Sequence, residues 1–82
     1  MFCVYILQCA DGTLYTGSTN DLPARLRVHN AGRGAKYTKA RLPVILLYSE
    51  DCGDRSAALK REIAIKRLTR QEKLQLIATQ TQ

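Results

Sequence analysis

Hydrophobic side chains form short unbroken runs in parts of this chain and spaced stripes in others. Residues 2–8, FCVYILQ, are almost continuously apolar, which predicts a central β-strand covered on both faces. Residues 13–18 predict a second strand, and residues 44–48, which follow Pro43, predict a third. The first two strands are expected to form a hairpin.

The length of the hairpin loop decides which faces of the sheet receive two tyrosines. A two-residue turn of Asp11 and Gly12 would pair Tyr5 with Ser18 and send Tyr5 and Tyr15 to opposite faces. A loop longer by one residue, with Gly12 in a left-handed conformation, would put both tyrosines on one face. The sequence leaves both loops open.

A helix is predicted to follow the hairpin. Asp21 lies at its N-cap, and the helix should run to about Asn30 and stop at Gly32. Leu22 and Leu26 mark its buried stripe.

Basic residues dominate the exposed part of this helix and the segment after it. Arg25 and His29 stand four residues apart at the edge of the buried stripe, whereas Arg27 should be solvated. Residues 31–41 are predicted to be a basic loop interrupted by glycines.

Two more helices are predicted in the last third of the chain. Asp54 or Ser56 caps one that runs to about Leu68, and Thr69 with Glu72 forms a capping box for the next. The inner side of the last helix is expected to hold Leu74, Ile77 and Ala78, while residues 79–82 should fray.

The predicted element order, β-β-α-β-α-α, indicates one domain of the mixed α/β (α+β) class. It should be a small three-stranded sheet, at least partly antiparallel, flanked by three helices, with its core in residues 2–78. Eighty-two residues leave no room for a second domain.

The composition indicates which type of partner this fold would bind. Lys and Arg number 13 against 7 Asp and Glu, and the net charge of +6 with 45% hydrophobic residues indicates a folded basic protein. Such a charge favours a polyanion, and nucleic acid is the leading expectation. Without a signal-like or membrane-spanning segment, we expect a cytoplasmic protein with reduced cysteines (Cys3, Cys9 and Cys52) and no zinc site. The sequence leaves the oligomeric state open, with a monomer favoured.

One acidic residue, Glu62, has no evident local structural role. Glu62 stands in the cationic segment 58–67, whereas the other acids fit turns, helix caps or, for Glu50 and Asp51, an exposed loop. A lone carboxylate in a basic protein can hold Mg²⁺ against a phosphate. The alternative is a surface ion pair with Lys66 at i+4.

Other candidate residues also have ordinary structural explanations. Tyr5 and Tyr15 could serve only to pack the strands. Tyr37, between Lys36 and Lys39, suits contact with a phosphate backbone and a splayed base, although the loop could be a solvated connector. Since no hydrolase triad, Walker loop or pair of nearby carboxylates is present, a nuclease here would have to work with one metal ion.

Together these positions resemble the GIY-YIG nuclease family. Residues 3–5 (CVY) correspond to the family's first triplet and residues 15–17 (YTG) to its second. Arg25 and His29 follow Tyr15 by ten and fourteen residues, as the arginine and the tyrosine-or-histidine of the family would. Residues 57–62 resemble the family's metal-binding segment. Cys3 replaces the usual glycine and Thr16 the usual isoleucine. Residues 17–22 (GSTNDL) and 32–38 (GRGAKYT) are similar to the small stand-alone bacterial members.

The resemblance implies a phosphodiesterase that cuts DNA or RNA with a single Mg²⁺ or Mn²⁺ held by Glu62. Tyr5 would be the general base, which requires either that neighbouring cationic charge lower its pKa or that the water itself be activated. Arg25 is the natural source of that charge and would also clamp the phosphate. Tyr15 and His29 would orient water and phosphate. Gly17 would permit close approach of the backbone, and the flanking strand would be gripped by Lys36, Tyr37, Thr38 and Lys39. The alternative is a nucleic-acid-binding module that uses the same basic site without cutting; a protein-interaction domain is a weaker third reading.

Overall fold

The structure is a computed structural model, and it describes residues 1–80. In chain order the elements are β1 (Phe2–Gln8), β2 (Leu14–Thr19), α1 (Leu22–Asn30), α2 (Lys36–Lys39), β3 (Ile45–Gly53), α3 (Arg55–Lys66) and α4 (Arg70–Gln80). The predicted order of the longer elements is confirmed.

The three strands form one antiparallel sheet in the order β2-β1-β3, so the apolar first strand is central, as predicted. Its side chains alternate between two buried clusters. Val4 and Ile6 pack with Ala58 and Ile65 of α3 on one face. Tyr5 and Leu7 belong to the cluster on the other face, against which Leu22 and Leu26 of α1 pack.

The hairpin uses the longer of the two loops considered. Tyr5 lies opposite Gly17 and Leu7 opposite Tyr15. The Cys9 amide donates to the Thr13 carbonyl over 2.9 Å, closing a loop of residues 10–12 in which Gly12 has a φ of 85°. Because cross-strand partners share a face, Tyr5 and Tyr15 lie on the same side of the sheet.

Helix α1 begins and ends where its sequence predicts. The Asp21 carboxylate accepts from the Ala24 amide over 3.2 Å, and Gly32 has the left-handed φ of 77° that ends many helices. Arg27 is exposed, as expected. His29, however, is fully buried instead of lying at the edge of the stripe.

Two predictions for the middle of the chain are wrong. Residues 36–39 form the short helix α2 within the predicted loop, because the Ala35 carbonyl accepts both the Lys39 amide and the Thr38 hydroxyl, each over 3.0 Å. Strand β3 continues past Tyr48 to Gly53, so Glu50 lies in a strand and not in a loop. The Glu50 carboxylate accepts the Tyr48 hydroxyl and two bonds from Arg61 of α3.

The two C-terminal helices use the predicted caps. Asp54, not Ser56, caps α3 by accepting the Ala57 amide over 2.8 Å, and α3 ends at Lys66, two residues before the predicted end. Thr69 and Glu72 form the capping box of α4, with bonds of 2.8 and 3.2 Å.

The inner side of α4 differs from the prediction. Leu76 and Ile77 pack on the core, whereas Leu74 and Ala78 are exposed. Residue Gln80 is helical and its side-chain amide bonds both backbone groups of Ser49, so the expected fraying does not begin at residue 79. Residues 81 and 82, also expected to fray, lie outside the described part.

Cys3 and Cys9 are free and buried; Cys3 lies in β1 and Cys9 directly follows it. Within residues 1–80, no helix has the length and apolar character that crossing a membrane requires.

Candidate active site

A buried hydrogen bond joins the central strand to α1. The Tyr5 hydroxyl lies 2.9 Å from His29 Nε2, and the two rings meet edge to face with centroids 6.0 Å apart. Tyr5 is 1% exposed and His29 is 0% exposed. Because both polar groups are shielded from water, each depends on the other as its hydrogen-bond partner.

Thr38 determines the direction of this bond. Its hydroxyl donates to the Ala35 carbonyl over 3.0 Å, so its oxygen accepts from His29 Nδ1, which is 2.9 Å away. With the proton of a neutral imidazole on Nδ1, Nε2 carries the lone pair. Tyr5 is therefore the donor and His29 the acceptor.

Burial keeps this pair neutral. Desolvation raises the pKa of Tyr5 above its ordinary value and outweighs the opposite effect of the Arg25 guanidinium. The effect expected of Arg25 is present, but it does not bring the pKa of Tyr5 below its ordinary value. Desolvation, followed by the charge of Arg25, lowers the pKa of His29. At neutral pH the phenol is protonated and the imidazole uncharged.

Two glycines make room for these rings. A Cβ on Gly17 would lie 2.5 Å from the Tyr5 hydroxyl oxygen, so the phenol crosses β2 where no side chain is present. A Cβ on Gly34 would overlap His29 Nδ1 and lie 2.8 Å from Cγ. The close approach expected at Gly17 is therefore made by the Tyr5 side chain. Gly34 was not among the predicted site residues, although it lies in the glycine-interrupted segment before α2.

Tyr15 contacts the buried pair through its ring. Its centroid lies 5.5 Å from that of His29 at an interplanar angle of 65°, and 6.2 Å from that of Tyr37 at 21°. Tyr15 also acts electrostatically on Tyr5, as Arg25 does. Four of the predicted residues, Tyr5, Tyr15, Arg25 and His29, are thus brought together on one side of the sheet.

Glu62 of α3 contacts β2 from the face of the sheet opposite to the tyrosines. One carboxylate oxygen accepts the Ser18 hydroxyl and the other accepts Lys66 Nζ, both over 2.6 Å. Ser18 is paired with Val4, so it faces α3 and not the tyrosines. The predicted convergence is therefore incomplete: the hydrogen bonds of Glu62 go to Ser18 and Lys66 and not to the other four residues, although its charge contributes to the raised pKa of Tyr5.

The surroundings of Glu62 favour its ionised form. Burial acts to raise the pKa of the carboxyl, but the hydrogen bonds from Lys66 and Ser18 outweigh it, and the pKa lies below its ordinary value. The i+4 ion pair considered from the sequence is present. The Ser18 bond was missed, because it joins residues 44 apart in the chain.

The donor set fits a hydrated divalent cation with one protein ligand. Residues 1–80 contain no group of three or more His, Cys, Asp and Glu side chains placed to hold a metal ion. Each carboxylate oxygen of Glu62 keeps a lone pair beyond the bond it accepts. The Lys66 side chain is half exposed and can swing aside, which would leave room for the waters and phosphate oxygens that complete a Mg²⁺ shell.

The predicted strand-binding residues divide into two kinds. Lys36 and Lys39 are exposed and Tyr37 is 39% exposed, so all three are accessible on α2. Thr38 is fully buried against His29, so contact with a nucleic-acid strand does not fit it. No closed pocket forms within residues 1–80, and these groups lie on an open surface.

The matching family model places this small antiparallel sheet and its helices in a nuclease-type family. The family model described as the GIY-YIG catalytic domain matches residues 1–75, and the chain belongs to the GIY-YIG family. The resemblance drawn from the sequence is confirmed.

Its relatives include small bacterial proteins carrying the name UPF0213. The chain is 54% identical over 79 residues to a UPF0213 protein of Streptococcus sanguinis, covering 96% of this chain and 91% of that one. It is 58% identical over 74 residues to a UPF0213 protein of Staphylococcus aureus, covering 90% of each.

Two solution NMR structures have the same fold. A UPF0213 protein of Bacillus halodurans matches with a TM-score of 0.62 and 40% identity, over 96% of this chain and 85% of that one. A protein of E. faecalis matches with a TM-score of 0.63 and 44% identity, over 94% and 82%.

Proposed function

We propose that the protein is a metal-dependent endonuclease that hydrolyses phosphodiester bonds in DNA or RNA. The observation that carries this proposal is the buried Tyr5–His29 pair beside Arg25. Glu62 lies on the other face of the sheet, where it accepts the Ser18 hydroxyl of the edge strand β2. Buried, directional proton donors and acceptors next to a cation suit proton transfer at a phosphate.

Tyr5 and His29 would act together as the base. Free phenolate is disfavoured, because burial raises the pKa of Tyr5. In the proposed step, substrate binding brings the attacking water to the Tyr5 hydroxyl, which is otherwise buried. The Tyr5 oxygen then takes a proton from this water while its own proton passes to His29 Nε2. The imidazole ends as a cation, and no isolated phenolate forms. This direction of transfer follows from Thr38, which keeps the Nε2 lone pair towards Tyr5.

Arg25 and a metal ion held by Glu62 would stabilise the negative charge of the phosphate. The Arg25 guanidinium suits the non-bridging oxygens, to which it can donate two parallel bonds. Glu62, held by Ser18, would be the ligand for one Mg²⁺ or Mn²⁺. When bound, such an ion supplies electrophilic polarisation of the phosphate and stabilisation of the leaving oxygen. Lys36 and Lys39 would contact the flanking backbone, giving affinity that falls as salt rises.

A binding module that does not cut is the second candidate. It is favoured by the ion pair between Lys66 and Glu62, which occupies one oxygen of the proposed metal ligand. In that case Lys66 would stay in place when nucleic acid binds.

Cleavage and binding assays on one set of variants separate these candidates. Purified protein is incubated with single-stranded, duplex and branched DNA and RNA, with Mg²⁺ or with EDTA. Glu62→Gln should abolish cleavage and keep most of the binding. Asp51→Asn removes the same charge from an exposed position of β3 and should cleave like the wild type. Salt-sensitive binding without any Mg²⁺-dependent cleavage by the wild type would identify the binding module.

A further inference from the structure

An aromatic and cationic stack extends from the candidate active site towards the hairpin loop. The Tyr15 ring contacts His29, and the Tyr37 ring lies nearly parallel to Tyr15. The guanidinium carbon of Arg41 lies 3.9 Å above the centre of the Tyr37 ring. Tyr37 is therefore one ring removed from the residues proposed to act on the phosphate.

Arg41 is held over this ring by two partners. Its Nη1 donates to the Tyr37 carbonyl over 2.8 Å, and its Nε donates to the Asp11 carboxylate over 3.0 Å. Asp11 is itself fixed by the Thr13 amide and hydroxyl. The guanidinium plane is thus positioned before any ligand arrives, which lowers the entropic cost of stacking on it.

The stack remains open to solvent and lies among cations. The Tyr37 residue is 39% exposed and the Arg41 side chain 34% exposed. Lys36 and Lys39 are exposed on the same short helix as Tyr37. An exposed aromatic and guanidinium pair beside lysines matches the chemistry of a nucleotide, whose base offers a flat face and whose phosphate offers a negative charge.

We propose that Tyr37 and Arg41 form a stacking subsite for one unpaired base of a nucleic-acid strand, next to the phosphate at the active site. The proposal rests on the nuclease function proposed above and adds a class of substrate. In a duplex both faces of each internal base are covered by neighbouring bases, whereas a base in a single strand, overhang or flap can leave the stack. The preferred substrate therefore has an unpaired nucleotide beside the bond to be cut.

Fluorescence of 2-aminopurine tests the subsite without cleavage, since stacking on a side chain quenches this base. The full chain is titrated in EDTA into oligonucleotides that carry the probe at successive positions. The titration compares three DNA substrates: a single strand, a duplex with an overhang and a blunt duplex. RNA oligonucleotides with the same probe show whether the subsite distinguishes RNA from DNA. Tyr37→Leu removes the ring. Arg41→Lys keeps the charge and removes the plane, with Arg70→Lys at the exposed start of α4 as its matched control.

Wild-type protein should quench the probe in the single strand and the overhang more than in the blunt duplex. Tyr37→Leu should remove the quench and weaken single-strand binding by about tenfold, within the roughly fivefold to 150-fold range expected for one stacked base. Arg41→Lys should reduce the quench without changing the salt dependence of binding. Arg70→Lys should behave as the wild type.

Quenching that is unchanged in both Tyr37→Leu and Arg41→Lys would overturn the subsite. Equal loss of affinity for blunt duplex and single strand would do so as well. Nucleic-acid binding with Mg²⁺-dependent cleavage but no quench at any position would reject the subsite alone. Failure of the wild type to bind any of the oligonucleotides would reject the proposed function together with it.

Discussion

Replacing Thr38 by valine removes one hydroxyl from a buried chain of hydrogen bonds. The chain runs from the Ala35 carbonyl through Thr38 and His29 to Tyr5. Valine has almost the shape of threonine, so the packing of the site is preserved. The change therefore isolates the contribution of the hydrogen bonds.

The cost follows from what remains after the hydroxyl is gone. His29 is fully buried, so its Nδ1 proton would have no partner in place of the Thr38 oxygen. Moving the proton to Nε2 does not help, because the Nδ1 lone pair would then face a methyl group and the Tyr5 hydrogen would lose its acceptor. An unsatisfied buried polar group costs about 1–3 kcal/mol. A loss of ~2 kcal/mol corresponds to a melting temperature lower by roughly 8–16 °C in a domain of this size.

Chemical denaturation of matched variants measures this cost. Thr38→Ser keeps the hydroxyl and removes one methyl group, for which we expect a loss of about 0.8 kcal/mol. Nitrogen NMR of the imidazole reports which ring nitrogen carries the proton. In the wild type it should be Nδ1.

The same substitution at Thr16 should have the opposite sign. The Thr16 hydroxyl is buried and has no hydrogen-bond partner among the described residues. Thr16→Val removes a polar group that is already unsatisfied, and it should stabilise the fold by about 1 kcal/mol. Destabilisation by Thr16→Val would show that the Thr16 hydroxyl has a partner. For the first prediction, a Thr38→Val protein that is as stable as the wild type and keeps its imidazole proton on Nδ1 would refute the hydrogen-bond chain.

Three further predictions concern pH and the two sides of β2. Burial lowers the pKa of His29 in the folded chain, so the unfolded chain binds that proton more readily. The stability contributed by the neutral ring is therefore complete above the ordinary histidine pKa of about 6.5 and declines as the pH falls below it. Denaturation at several pH values should show this decline, and it should be smaller in His29→Gln; greater stability on acidification would contradict it. Gly17→Ala places a Cβ 2.5 Å from the Tyr5 hydroxyl oxygen. It should destabilise the fold by about 1–3 kcal/mol and sharply reduce any cleavage. Wild-type stability and cleavage in this variant would show that Tyr5 can move aside. Ser18→Ala frees one oxygen of Glu62 from its hydroxyl partner and should raise the Mg²⁺ concentration needed for half-maximal cleavage, whereas an unchanged metal requirement would mean that Ser18 does not position the carboxylate.

Features set by neighbouring residues could be predicted from the sequence. The central strand follows from seven nearly continuous apolar or β-prone positions. The caps at Asp21, Asp54 and Thr69 follow from side chains that each satisfy the amide three residues ahead. The hairpin loop stayed ambiguous because Asp11 and Gly12 suit both loop lengths. Only the register of the paired strands distinguishes them.

The parts that the sequence did not predict depend on contacts between elements. Helix α2 has four residues, too few for a hydrophobic period, so it read as part of a loop. The polar residues after Tyr48 looked like a loop because their pairing with β1 and Arg61 is not visible locally. The same holds for the site: spacing indicated Tyr5 and His29, but it could not show that Thr38 holds the imidazole or that Glu62 approaches from the opposite face.

The carboxamide of Gln80 has a consequence for the outer edge of β3. It accepts from the Ser49 amide over 3.1 Å and donates to the Ser49 carbonyl over 2.5 Å, as a neighbouring peptide group would. Unpaired backbone groups at the margin of a sheet invite another chain to add a strand. By occupying one such pair, the end of α4 interrupts the row of groups that intermolecular β-augmentation would require, and so protects the domain against edge-to-edge aggregation.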